Sequence, residues 1–146
     1  SLDYAHLRRT MSTNFEGSFL VWDSVKSSLN SEARICVIGS QLGTRGSPHG
    51  ADYSASKAAL ALWARSLAQA VGVDGKRVNI IAPGFVDTDI LAGDTPEKRA
   101  SRIEEVPLKR IGTPDDIAEA VSFLVSDEAN YITGAVIHVN GGLYLP

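Results

Sequence analysis

Apolar residues recur at steps of three and four through Leu7, Met11, Phe15, Phe19 and Trp22, a spacing that predicts one helix over 3–29. The next apolar stretch, 33–38, is short, nearly unbroken and ends at Gly39-Ser40, as a parallel strand buried on both faces does. A Gly/Ser/Pro-rich loop is expected from 41 to 50. A run rich in Ala and Leu then predicts a helix over 53–71, closed by Gly72. A second buried strand, 78–82, is stopped by Pro83-Gly84. The following 87–110 is polar and without period, and reads as a long irregular loop of the kind that forms lids or binding segments. Thr113-Pro114-Asp115-Asp116 has a cap residue, a proline for the first turn and acids for the positive helix end. That helix carries Ile117, Val121 and Leu124 on its apolar face and is expected to end near residue 126. A last strand, 136–139, is closed by Asn140-Gly141-Gly142.

Helices alternating with buried strands build a parallel sheet through right-handed crossovers. The fold class is therefore α/β. Three strands are few for such a sheet, since a doubly wound nucleotide-binding sheet joins two βαβαβ halves. Residues 1–146 are expected to form a partial Rossmann-type domain, the C-terminal half of a doubly wound parallel sheet with flanking helices. Standing alone, such a half would leave the strand ending at Ile38 with an open edge and an uncovered apolar face, which favours aggregation unless something covers them.

Composition narrows the function classes. The 146 residues are 44% hydrophobic and 21% charged with a net charge of −3, an average soluble pattern without the basic run that nucleic-acid binders carry. No apolar run approaches the length of a membrane span. The one cysteine, Cys36, falls inside a predicted strand and reads as a buried structural thiol, in keeping with a reducing cytoplasm. His6, His49 and His138 lack ligand spacing, so no metal site is expected.

The candidate chemistry lies between the first strand and the second helix. Tyr53 and Lys57 are four residues apart on a predicted helix and project from one face. Ser40, thirteen residues before Tyr53, leaves the end of a strand and can meet them. A phenol, an ammonium and a hydroxyl together can move a proton to a carbonyl or from an alcohol. Because a free phenol titrates near ~10, such a site needs a neighbouring positive charge to work at neutral pH. Taken singly, a Tyr and a Lys one helical turn apart are commonly a solvated surface pair, and a serine at a strand end is commonly a turn residue.

The motifs taken together resemble the C-terminal part of the short-chain dehydrogenase/reductase family, most closely its 3-oxoacyl-(acyl-carrier-protein) reductase branch. Asn14-Phe15-Glu16-Gly17 is similar to the helix segment that carries the family's catalytic asparagine, and Ile38-Gly39-Ser40 with Tyr53-x-x-x-Lys57 to its serine and YxxxK. The run Asn79-Ile80-Ile81-Ala82-Pro83-Gly84-Phe85-Val86-Asp87-Thr88 resembles its nicotinamide-contacting loop. The stretches 110–118 and 131–142 resemble its closing helix and last strand. The resemblance spans essentially the whole chain. The family's opening TGxxxGxG turn, its NNAG stretch and the residue that chooses between NAD and NADP do not occur in this sequence.

The resemblance implies an oxidoreductase reducing a ketone, a 3-oxoacyl thioester in the named branch, with NAD or NADP as cofactor. Tyr53 would be the acid/base and would also contact the cofactor, Lys57 the charge lowering the phenol's pKa and the hold on the nicotinamide ribose, and Ser40 the donor that polarises the carbonyl. Asn14 would hold a relay water. Pro83, Gly84, Val86 and Thr88 would flank the nicotinamide, and the helices at 3–29 and 53–71 would pair with another subunit in a homodimer or homotetramer. Neither a nucleic acid nor a membrane is an expected partner. The alternative is a non-catalytic fragment or assembly module, keeping the dimer surface without a cofactor pocket. Asn79 and Asn140 read as structural residues hydrogen-bonded to nearby backbone.

Overall fold

The computed structural model describes residues 3–146. It contains a three-stranded sheet of β1 (Arg34–Ile38), β2 (Arg77–Pro83) and β3 (Val136–Val139), in that spatial order and all parallel. Register pairs Ile38 with Ile81 and Pro83 with Val139, so the carboxyl ends of neighbouring strands lie side by side. The helices are α1 (Tyr4–Met11), α2 (Gly17–Val25), the single turn α3 (Leu42–Arg45), α4 (Ala51–Gly72), α5 (Pro96–Glu105) and α6 (Pro114–Leu124). The parallel strand–helix alternation is as the sequence predicts.

The 22-residue helix α4 is the main cover of the sheet. Its buried residues Ser56, Leu60, Ala64 and Ala68 repeat every fourth position and so form one stripe. Alanine at 64 and 68 lets the helix approach closely, and both pack in one core with Val78 and Ile80 of β2. Trp63, on the neighbouring face, meets Phe15 and Phe19 edge-on with ring centroids 6.3 and 6.2 Å away. These aromatic contacts dock the first helical segment onto α4. Cys36 sits in β1, where burial pushes its thiol pKa up and makes it less reactive.

Three local features differ from the periodicity reading. The helix predicted over 3–29 is interrupted by a π-helical turn at Ser12–Glu16, which places Asn14 on a widened turn between α1 and α2. The predicted loop 41–50 contains α3, and the predicted irregular segment 87–110 contains α5. Helix α5 begins with a Thr95 cap whose side chain accepts from the Lys98 backbone N–H, followed by Pro96. Helix α6 has a full capping box between Thr113 and Asp116.

Asn79 carries the junction between β2 and the turn before β3. Its side chain is fully buried, donating to the Ile132 carbonyl at 2.8 Å and accepting from the Ala135 N–H at 3.1 Å. Asn79→Ala removes both bonds, leaving the Ala135 N–H without its partner while the Ile132 carbonyl keeps Arg77, and is expected to cost about 1–2 kcal/mol. Urea unfolding of the native protein reads this as a lower midpoint, and an unchanged midpoint would contradict the structural role. Asn140 is structural as well, donating to the Tyr144 carbonyl at 2.8 Å and accepting from the Gly142 N–H at 3.0 Å.

Candidate active site

The candidate residues gather at the carboxyl ends of β1 and β2. Beyond β1, the Gly39 N–H continues the ladder to the Ile81 carbonyl at 2.7 Å, and the Gln41 N–H reaches the Pro83 carbonyl at 3.1 Å. Ser40 is therefore held on a backbone bridge to the end of β2. Its Oγ accepts the Leu42 N–H at 3.2 Å, which orients the hydroxyl and leaves its own proton to donate. Gln41 is buried and accepts from Asn140 Nδ2 at 3.1 Å, tying this turn to the end of β3 as well.

The turn bearing Ser40 also presses on α4. A Cβ built on Gly43 would lie 2.8 Å from the Lys57 carbonyl carbon and 3.0 Å from the Ala58 nitrogen. Only a glycine permits that backbone-to-backbone approach, which brings the serine turn against the helix at the level of Lys57. The Lys57 ammonium lies 5.7 Å from the centroid of the Tyr53 ring and donates to the Ile38 carbonyl at 3.1 Å. Burial lowers the pKa of this ammonium. With one acceptor engaged, the ammonium keeps two N–H groups for other oxygens.

Asn14 approaches from the π-turn. Its Nδ2 donates to Ser56 Oγ at 3.0 Å, and that hydroxyl donates to the Tyr53 carbonyl at 2.7 Å. Asn14 and Tyr53 line one cleft of about 440 Å³ together with His6, Thr10 and His49. A larger cleft of about 570 Å³, between Phe85, Ile117, His138 and Tyr144, is lined by none of Asn14, Ser40, Tyr53 and Lys57.

Pro83 ends β2, and Gly84 passes so close to β3 that a Cβ there would lie 2.8 Å from Asn140 Cβ. Val86 is half-buried and bridges to Gly112, with Asp87 N–H donating to the Gly112 carbonyl at 2.8 Å. Thr88 lies further out, exposed and extended, at the start of the segment that leads into α5. Ion pairs latch that segment. Arg99 holds Asp87 at 2.6 and 3.0 Å, keeping its carboxyl below the usual range. Arg102, stacked 4.5 Å over the Phe85 ring, pairs with Asp94 at 2.5 Å. Lys98 joins at 2.7 Å, and the two cations bring Asp94 down to about 2, Arg102 being the larger cause.

The residue set fits the nicotinamide end of a dinucleotide. Lys57 has two spare donors for ribose hydroxyls, and the Pro83–Thr88 run leaves the strand end where parallel sheets bind ligands. Gln41, Gly43, Asp52 and Ser56 were not among the residues singled out from sequence, although each holds this arrangement together. Gly43 falls in the loop expected over 41–50, and nothing in that expectation marks its approach to α4.

Comparisons with known proteins agree with this architecture. A family model described as Enoyl-(Acyl carrier protein) reductase matches residues 1–144. The 3-oxoacyl-[acyl-carrier-protein] reductase FabG of Salmonella typhimurium is 47% identical over 112 residues, covering 77% of this chain and 46% of that protein. The FabG protein of Rickettsia felis is 38% identical over 139 residues, covering 94% and 58% respectively. Among solved structures, a short-chain dehydrogenase/reductase (glucose/ribitol dehydrogenase) from Brucella melitensis superposes with a TM-score of 0.94 at 31% identity. The match covers 99% of this chain and 59% of that one. A 3-oxoacyl-[acyl-carrier protein] reductase from Brucella melitensis ATCC 23457 gives a TM-score of 0.92 at 31% identity, covering 100% and 56%. The chain spans about half the length of the curated relatives it matches.

Proposed function

Since the chain belongs to the short-chain dehydrogenase/reductase family, we propose that it supplies the carbonyl-reducing site of an NAD(P)H-dependent oxidoreductase acting on a 3-oxoacyl thioester. The observation that carries this reading is the backbone bridge from Gln41 to Pro83. It sets Ser40 at the ligand-binding end of the sheet, while Gly43 seats the same turn on the backbone of Lys57, one helical turn from Tyr53.

Each side chain has a distinct task in the reduction. The Ser40 hydroxyl, already accepting from Leu42, donates to the carbonyl oxygen and stabilises the charge that develops on it. Tyr53 gives its phenolic proton to that oxygen. The Lys57 ammonium beside the ring favours the phenolate left behind. Its spare N–H groups would donate to the ribose hydroxyls of a bound cofactor, and Pro83, Gly84, Val86 and Thr88 would flank the nicotinamide. Hydride comes from the nicotinamide when NADPH or NADH is bound, since no side chain supplies one. Asn14, linked through Ser56 to the backbone of Tyr53, holds the relay water by which the lysine exchanges protons with solvent.

The surface supports a self-associating protein. Phe19, Leu20 and Val21 on α2 and Leu62 on α4 are exposed, consistent with a homodimer or homotetramer paired through these helices. No helix among the described residues is long and apolar enough to cross a membrane.

The test begins with an intact-mass spectrum of the native protein, which defines every polypeptide in the preparation. Oxidation of NADPH and of NADH is then followed with a 3-oxoacyl thioester and with the enoyl thioester of the same chain length. Turnover of the ketone is the expected result. Reduction of the enoyl thioester alone, or cofactor binding without turnover of either, would overturn the reading. Self-association with neither cofactor binding nor turnover would favour the assembly module.

A further inference from the structure

Tyr53 lies in the first turn of α4, where a helix frays most readily because its first four N–H groups lack intrahelical partners. The capping position, Gly50, offers no side chain to secure it. The turn is instead held from the side. His6, Thr10 and Asn14 succeed one another at four-residue steps along the first helical segment, and Asp52 and Ser56 do the same on α4. Thr10 Oγ1 donates to Asp52 Oδ2 at 2.7 Å, and His6 Nε2 lies 3.0 Å from the same oxygen. Four residues on, Asn14 donates to Ser56, whose hydroxyl reaches back to the Tyr53 carbonyl. The two helices are thus joined by polar contacts on either side of Tyr53.

Asp52 is the buried member of this set. Its side chain is only 6% exposed, whereas that of His6 is 51% exposed. The Thr10 hydroxyl is the main cause of its lowered carboxyl pKa, and the N–H groups of Tyr53 and Asp52 itself add to it. A carboxylate in the first turn also complements the positive end of the helix. These contacts engage the carboxylate with its own turn and with α1.

We propose that Asp52 is a positioning residue, which together with Thr10 and His6 clamps the first turn of α4 to α1 and so sets the place of the Tyr53 phenol. The proposal rests on Tyr53 being the acid of the reaction. A misplacement of ~1 Å in a reacting group can cost on the order of a hundredfold in rate, so a clamp on this turn acts on kcat rather than on substrate binding. Loss of the clamp lets the turn fray and lowers the fraction of molecules with the phenol in place.

The test uses the native protein and three variants. Asp52→Ala removes the acceptor, Thr10→Val removes the donor at nearly constant shape, and Asp52→Asn keeps an acceptor at the same reach. Asp52→Ala is expected to lower kcat by about ten- to a hundredfold with KM for the ketone within about twofold. Thr10→Val should move the same way, and Asp52→Asn should recover most of kcat. Amide hydrogen exchange of residues 52–57, measured without substrate, should quicken in Asp52→Ala and Thr10→Val and return towards the unchanged rate in Asp52→Asn. If Asp52→Ala does not fold, Thr10→Val decides alone. Unchanged kcat and exchange in Thr10→Val, or an Asp52→Asn protein as slow as Asp52→Ala with normal exchange, would overturn the proposal. Exchange needs no turnover, so a protein inactive on ketones but with clamp-dependent exchange would remove the reductase reading and leave the clamp.

Discussion

Tyr53→Phe is expected to abolish measurable ketone turnover in the native protein while leaving cofactor affinity within about threefold of the unchanged value. A general acid in place contributes about 10²–10⁴ in rate, and phenylalanine removes the only proton this position can give. The substitution is otherwise mild. The Tyr53 backbone carbonyl still accepts from Ser56, and the ring still lies beside the Lys57 ammonium. In the proposed roles the donors to the cofactor are those of Lys57, whose ammonium is anchored on Ile38 rather than on the phenol. Steady-state kinetics and a fluorescence titration with NADPH separate the two effects. Near-normal kcat would remove Tyr53 from the mechanism, and a matching loss of cofactor affinity would give it a binding role instead.

The second large effect is expected at a residue with no reactive group. Gly43→Val places a branched side chain where a single Cβ already falls 2.8 Å from the Lys57 carbonyl carbon. Its neighbours there are helix backbone, which cannot turn aside as a flexible side chain can. Either the Ser40 turn lifts from α4 or the helix shifts, and both separate the serine from the Tyr53–Lys57 turn. We expect kcat to fall about a hundredfold, with a stability loss of about 1–3 kcal/mol from the strained packing. Gly72→Ala is the matched control, since a Cβ at Gly72 meets nothing within 4 Å. Thermal unfolding and kinetics on both variants check the contrast. A fully active Gly43→Val protein would show that the close approach is dispensable.

How far the sequence could be read depended on what held each element. Helix α4 buries one stripe of residues, and strands β2 and β3 are short, mostly apolar runs closed by turn residues, and their bounds fall within two residues of those expected. Helix α5 was missed for the opposite reason. It carries few apolar residues, and what anchors it is charge: Arg99 on Asp87, and Arg102 on Asp94 and over Phe85. Its Thr95-Pro96 start matches the Thr113-Pro114 start of α6, so the cap was legible even though the helix body was not. The π-turn around Asn14 left no mark in the periodicity, because one extra residue per turn disturbs a three-and-four spacing very little.

Periodicity along the chain carries the α/β alternation and the parallel sheet, and spacing carries Ser40, Tyr53 and Lys57, because both are properties of neighbouring residues; Asn14 joins that set through the family resemblance. Tertiary structure alone decided what braces that set. Gly43 meets Lys57 across fourteen residues, Thr10 meets Asp52 across forty-two, and Gln41 meets Asn140 across ninety-nine. Such pairings are set by how closely α1, α4 and the strand ends pack, and packing distance is written in no local pattern.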